Sequence, residues 1–461
     1  MLTVSQGVTE RTWRRTELGE PRYRQAMVSD RYEADVVLTC DDRGAIHAPG
    51  VVEVLDGRIT HVGADGSEDF TGTVHRLGGL LMPGLVNAHA HTPMTLVRGA
   101  GDGLPLQRWL NEAMWPREGR MTPEDVWWGM ALGSAEMLVS GVTTSCEMYL
   151  FEDAVVDAVS TTGGRLVMTP AALSVLHGES FGAGGDRLDA LAAFHGMYHD
   201  PAGRLTVGIG PHSAYDLGVA GVARMAELAR SLDAVLHVHV AETRAESEPL
   251  EAEYGCSTVQ VLFDHDVLGG RVLFAHAVWV DDDDIAMMAA AGVAVAHCPV
   301  SNMKLGSGIA PLVRMIDAGL TVALGTDGPA SNDTLDLWEE VKVAPLLARV
   351  DALDATVLSA ERVLAMATRD GAAAVGLDDV GRLSVGSVAD LIRIDLDQPP
   401  FTPVTELADL LAHLVWAGSS RSVTDVWVDG RWVVEAGVVQ TLDVERAQAE
   451  VQQRGLRLVA G

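Results

Sequence analysis

Short apolar runs recur through the middle of the chain, each closing on small or polar residues and each followed by a longer stretch with helical spacing. In order they read LLMPGLVNAHAH, GVTTSCEMY, RLVMTPAAL, LTVGIGPHSAY, AVLHVHVAET, RVLFAHAVWV, GVAVAHCPVSN and LTVALGTDGPAS, eight in all. Between them lie segments with clear helix signals. In MTPEDVWWGMALGSAEMLVSG, Thr122 stands at the N-cap position, Pro123 at the first helical position, acids follow in the first turn, and Gly141 closes the segment. Eight strands alternating with helices predict a parallel (β/α)₈ barrel of the TIM type, spanning residues 83–381.

The two ends of the chain alternate with the strand period instead. EADVVLTCDDRGAIHAPGVVEVLDGRITHVG carries Asp56-Gly57 between alternating runs, and VTDVWVDGRWVVEAGVV carries Asp429-Gly430 in the same setting. Both are hairpin turn signals. They predict a small β-sandwich domain built from both chain ends, residues 32–82 with 382–445, and a C-terminal helix over 446–461. Residues 1–31 are polar, carry Arg11, Arg14, Arg15, Arg22 and Arg24, and show no sustained period, so a disordered extension is expected there.

Composition narrows the function classes. A hydrophobic content of 48% with 21% charged residues suits a globular enzyme. No apolar run approaches the roughly 18 residues that span a bilayer, and no apolar core of a signal peptide opens the chain. A cytoplasmic protein is expected. The formal net charge of −31 repels phosphate backbones and disfavours nucleic-acid partners. Cys40, Cys146, Cys256 and Cys298 lie far apart, which predicts reduced, buried thiols and no disulfide framework. The partner left by elimination is a small molecule, with homo-oligomer formation open.

Chemistry concentrates at the ends of the predicted strands. His89 and His91 stand at i and i+2, so on a strand both imidazoles point the same way. Strand four ends in His212, strand five in His239 followed by Glu242, strand six in His276, strand seven in His297 and strand eight in Asp327. A single such histidine is ordinarily a structural polar group, but six of eight strands offering histidine or aspartate at one rim point to a metal centre. Imidazole and carboxylate donors without thiolate suit Zn²⁺, with Fe²⁺ or Mn²⁺ as alternatives. The only lysines, Lys304 and Lys342, lie outside strands three to five, where a bridging lysine for a second ion would be needed. One ion is therefore expected, held by His89, His91, His239 and Asp327 with a water in the open position and His276 beside that water. Asp327 can take the water's proton, and Glu242, three residues beyond His239, is a carboxylate on the turn over the metal that can transfer protons.

Together PGLVNAHAHTPMTLVRG, GPHSAY, HVAET, AHA, HCPVSNMKLGSGIAPL and LGTDGPASND resemble the amidohydrolase superfamily, and within its cytosine-deaminase-like branch the 5-methylthioadenosine/S-adenosylhomocysteine deaminases. That resemblance implies hydrolytic deamination at adenine C6 of an adenosine-type nucleoside: adenosine, 5′-deoxyadenosine, 5′-methylthioadenosine or S-adenosylhomocysteine. It implies the same metal ligands, with Glu242 as proton shuttle and His276 as the histidine orienting water. It also implies Trp109, Glu118, His212 and Ser331 as substrate contacts, Glu118 holding the ribose hydroxyls. Where relatives that bind homocysteine place an arginine after strand three, this chain has Pro170, and a second arginine is matched only loosely by Arg187. The rival readings are an aminohydrolase or dechlorinase of a free base or triazine, which has no ribose for Glu118 to hold, and a catalytically silent scaffold, against which the complete donor set argues.

Overall fold

A computed structural model describes residues 29–174 and 186–460. Residues 1–28 of the expected extension lie outside the described residues, while Ser29–Ala34, which includes the last three residues assigned to that extension, forms a strand. It pairs with Gly50–Leu55 and Thr73–Arg76 in a four-stranded sheet. A second sheet of seven strands interleaves the two chain ends, with Leu391–Ile394 hydrogen-bonded between Leu80–Pro83 and Val423–Val428. Tyr32, Val52, Val54 and Ile59 of the first sheet pack with Val37, Leu81, Leu391 and Trp427 of the second in one buried cluster. Two faces closing on a shared apolar layer make a sandwich.

Both hairpin turns form as two-residue loops with positive φ at each position: 47° and 79° at Asp56-Gly57, 54° and 70° at Asp429-Gly430. These values belong to the turn whose twist matches that of the strands it joins. The turns also meet. A Cβ on Gly430 would lie 3.0 Å from Cα of Gly57, so the two ends of the chain touch where neither can carry a side chain.

All eight apolar runs of the middle segment become parallel strands, beginning with Leu85–Ala90 and ending with Thr321–Leu324. They form two parallel arcs of four strands. Isolated bridges join the arcs, Ile209 to Leu236 and Ser213 to His239 on one side and Ala90 to Asp327 on the other, and so close the barrel. The second seam is tight. Any side chain at Gly325 would press to 2.9–3.0 Å of His89, and the Asp327 amide donates to the His89 carbonyl at 3.0 Å. Inside, Val86, Cys146, Val167, Leu273, Ala296 and Ala323, one from each of six strands, are buried together, so the barrel is a packed core.

The helix after strand one begins as its sequence predicts, with Thr122 and Asp125 in a capping box. The last helix, Val444–Ala460, lies against it, and Arg454 pairs with Asp125. Among the described residues no helix is long and apolar enough to cross a membrane.

Barrel and sandwich are joined through a buried ion pair. Arg165, at the start of strand three, meets Asp390 with two bonds of 2.7 and 3.1 Å, and Asp390 also accepts from the Asp429 amide at 2.7 Å. Removing one partner of such a pair strands the other charge in a dry environment. Arg165→Met should lower unfolding free energy by about 3–5 kcal/mol in denaturant melts. The double variant Arg165→Met/Asp390→Asn should lose less than the sum of the single changes.

Candidate active site

Strand ends bring the polar groups of the rim together. His89 lies within strand one, and His91 directly follows it at the start of the turn Thr92–Val97. That turn is pinned by Glu147 at the end of strand two, whose carboxylate accepts from the Thr92 amide at 2.9 Å and its hydroxyl at 2.6 Å. Elsewhere the backbone leaves the strand through left-handed residues: Ala241 (φ 51°) between His239 and Glu242, His276 itself (φ 72°) and Asp327 itself (φ 61°). Non-glycine residues bear a cost in this region, and such outliers cluster at functional sites.

The resulting geometry is a ring of donors. Asp327 Oδ1 lies 3.3 Å from Nε2 of both His89 and His91, and Nε2 of His91 lies 3.3 Å from Nε2 of His239. His89, His91 and His239 offer nitrogens all within 4.8 Å of one another, and His89, His276 and Asp327 form a second such group. Each ring is aimed from behind. His91 Nδ1 donates to the Met148 carbonyl at 2.6 Å and His239 Nδ1 to the His212 carbonyl at 2.8 Å. Nε2 of His89 is buried with no hydrogen-bond partner. An orphaned nitrogen facing further imidazoles and a carboxylate is a donor set that fits a divalent cation.

Electrostatics agree with that fit. Burial pushes His89 down to about 3 and His239 well below the ordinary imidazole range, so both keep a free lone pair at neutral pH. Burial acts on His91 in the same direction, but its contact with Asp327 prevails and holds it up at about 9. Burial also opposes the charge on Asp327, yet His89 and His91 hold its carboxyl well below the usual range. The other oxygen of Asp327 accepts from Ser301 at 2.6 Å and Ser331 at 2.7 Å.

Glu242 and His276 stand beside this ring, with His276 Nε2 3.8 Å from Glu242 Oε2. Asn302 Oδ1 lies 2.9 Å from His276 Nδ1 and turns the ring, while Ser307 donates to Glu242 at 3.2 Å. Burial, reinforced by the charge of Asp327, raises the Glu242 pKa well above the usual carboxylate range. Behind it, Glu246 accepts from the Glu242 amide at 2.8 Å.

Above the ring opens a cavity, about 640 Å³ of free space when its open mouth is counted in. Trp109, Glu118, His212, Glu242, His276 and Asp327 all face it, and among the described residues no lysine or arginine lines it. Trp109 belongs to a six-residue π-helical turn, Trp109–Met114, and its indole donates to the Ala100 carbonyl at 3.1 Å. Burial raises the Glu118 pKa, against the Tyr149 hydroxyl it faces.

Two residues expected at the substrate stand elsewhere. Ser331 is not on the cavity wall; its hydroxyl is taken up by Asp327, four residues earlier on the same turn. Arg187 is not on the wall either: it pairs with Glu152 at 2.8 Å and donates to the Ala171 carbonyl at 2.9 Å. Nor is His297, which is buried away from the cavity. Conversely, sequence reasoning passed over Tyr149 and Tyr215 on the wall and Glu147, His237, Ser307 and Glu246 behind it. Only His237 had a local signal, since it shares the alternation of His239 as His89 shares that of His91.

Known proteins are similar to this chain in sequence and in fold. Residues 80–433 match the model of the amidohydrolase family. A 5-methylthioadenosine/S-adenosylhomocysteine deaminase of Pelotomaculum thermopropionicum is 41% identical over 429 residues, which cover 92% of this chain and 97% of that protein. A 5′-deoxyadenosine deaminase of Methanosarcina mazei is 38% identical over 425 residues, again 92% of this chain and 97% of that one. In structure, an adenosine deaminase from Xanthomonas campestris with bound zinc superposes with a TM-score of 0.88 at 32% identity, covering 94% of this chain and 99% of that one. With a matched segment running through every barrel strand and relatives aligned nearly end to end, the chain belongs to the amidohydrolase family.

Proposed function

We propose that the protein is a metal-dependent deaminase that hydrolyses the 6-amino group of an adenosine-type nucleoside, giving the inosine analogue and ammonia. The observation that carries this is the ring of His89, His91, His239 and Asp327 with Glu242 and His276 at its side, at the base of a cavity that also presents Glu118. Relatives named as nucleoside deaminases, one of them holding zinc, support the same reading.

One divalent ion, Zn²⁺ by its donor set, would be held by those four residues, where it would supply Lewis acidity and bring the pKa of a water to near neutrality. Asp327 Oδ1 is placed to take a proton from that water, because its other oxygen is committed to Ser301 and Ser331. His276, turned by Asn302, orients the water. Glu242 is protonated at neutral pH by virtue of its burial, as a general acid must be. It gives its proton to the ring nitrogen beside C6 as water adds; the proton held by Asp327 then goes to the departing amine, and Glu242 takes the proton of the new C6 hydroxyl as the carbonyl forms. Glu118 receives the ribose hydroxyls, a task that no free base or triazine would present.

Among the described residues, no lysine or arginine lines the cavity that would receive the 5′ end of the nucleoside. Pro170 has neither charge nor amide hydrogen. Arg187 is spent on Glu152 and Ala171, and residues 171–185 contain no lysine or arginine. A nucleoside with a carboxylate at that end would be left with an unpaired charge in a cavity that already holds the Glu118 carboxyl.

Three outcomes check this reading. The purified protein should hold about one divalent ion per chain by elemental analysis. His239→Ala should lose both ion and turnover, and two tightly bound ions would contradict the single site. Glu242→Gln should keep the ion while kcat falls about 10²- to 10⁴-fold; more than a tenth of the wild-type kcat would demote Glu242 to a positioning role. In kcat/KM, adenosine, 5′-deoxyadenosine and 5′-methylthioadenosine should exceed S-adenosylhomocysteine by about tenfold or more. A preference for S-adenosylhomocysteine that vanishes in Arg187→Ala would reverse the assignment of the 5′ end.

A further inference from the structure

Each of the three imidazoles in the ring is aimed by a bond at Nδ1, but the bonds are not alike. For His91 and His239 the partner is a main-chain carbonyl. A carbonyl can only accept, so Nδ1 carries a proton, and in the neutral ring Nε2 keeps its lone pair. For His89 the partner is another imidazole. Nδ1 of His89 lies 2.8 Å from Nε2 of His237, and an imidazole nitrogen can give or receive. The tautomer of His89 is undefined until something defines that of His237.

The next link does so. His237 Nδ1 lies 3.0 Å from the Thr169 hydroxyl. That hydroxyl also lies 2.9 Å from the Glu147 carbonyl, which can only accept; with its single hydrogen given there, it can only accept from His237. His237 therefore carries its proton on Nδ1 and presents a bare Nε2 to His89. His89 must then hold its own proton on Nδ1, which leaves Nε2 unprotonated where the donor ring converges. The chain of polarity runs from a main-chain carbonyl of strand two, through strands three and five, to strand one. Both His237 and Thr169 are fully buried, and neither lines the cavity. Cys146 Sγ, 3.6 Å from the same Nδ1, is only a weak donor or acceptor and no equal replacement for the hydroxyl.

We propose that His237 and Thr169 are positioning residues that lock His89 in the tautomer able to bind the metal. This rests on the reading of His89 as a ligand. Outer partners of ligating histidines set tautomer and ring orientation, and their loss typically costs 10- to 100-fold in metal affinity. His91 and His239 draw on fixed carbonyls, so the dependence on side chains falls on His89 alone.

The test is zinc affinity of the full chain by competition with a chromophoric chelator, with the melting temperature of the metal-free protein as the folding control. His237→Phe removes the acceptor while filling the space, and Thr169→Val removes the hydroxyl at nearly constant volume. Each should weaken zinc binding about 10- to 100-fold. His237→Gln, whose amide oxygen can stand near the place of Nε2, should recover most of that loss. At saturating zinc, KM for the nucleoside should stay near the wild-type value, because neither residue meets substrate. If His237→Phe does not fold, Thr169→Val decides. A wild-type chain that takes up no zinc overturns the metal reading and this one with it. A wild-type chain that binds zinc, with unchanged affinity in Thr169→Val or with His237→Gln as weak as His237→Phe, overturns the relay alone.

Discussion

Four electron-pair donors facing one another inside a dry barrel mouth do not assemble on their own account. Nε2 of His91 lies 3.3 Å from Nε2 of His239, and Asp327 Oδ1 lies 3.3 Å from two of the rings. Two lone pairs at that distance repel unless positive charge lies between them, and the buried Asp327 carboxylate demands the same. The high pKa of His91 expresses that demand, since Asp327 holds a proton on a ring that burial would otherwise strip. Everything around the ring serves to keep it in place: carbonyls behind His91 and His239, serines behind Asp327, and the His237–Thr169 chain behind His89.

The scaffold concentrates its rigidity at the same place. At one of its two seams the barrel closes through the bridge between Ala90 and Asp327, and the Asp327 amide donates to the His89 carbonyl. The seam of the barrel is thus also the base of the site, and a side chain at Gly325 would pry both apart. At the other end of the strands the Arg165–Asp390 pair joins the barrel to the sandwich, whose second sheet is completed only when both chain ends have arrived. A nucleoside site of this kind needs such a frame, because groups that transfer protons act over hydrogen-bond distances.

The sequence by itself determined whatever is written in local periodicity and turn chemistry. Eight apolar runs, the Asp-Gly hairpins at 56–57 and 429–430 and the Thr122 cap are recognisable because each depends on neighbours a few residues away. The i, i+2 spacing of His89 and His91 belongs to the same class, as does the place of His212, His239, His276 and Asp327 at strand ends. What only the tertiary structure decided depends on contacts between distant segments. Ser331 points to Asp327 and not to the cavity, because the turn after strand eight folds back on itself. Arg187 is taken by Glu152, which stands 35 residues earlier in the chain. The tautomer of His89 is set by Thr169 and Glu147, neighbours in space on strands two and three that no spacing rule connects. A sequence states which groups can donate and accept; which of them meet, and which way each hydrogen points, is settled only when the strands carrying them lie side by side.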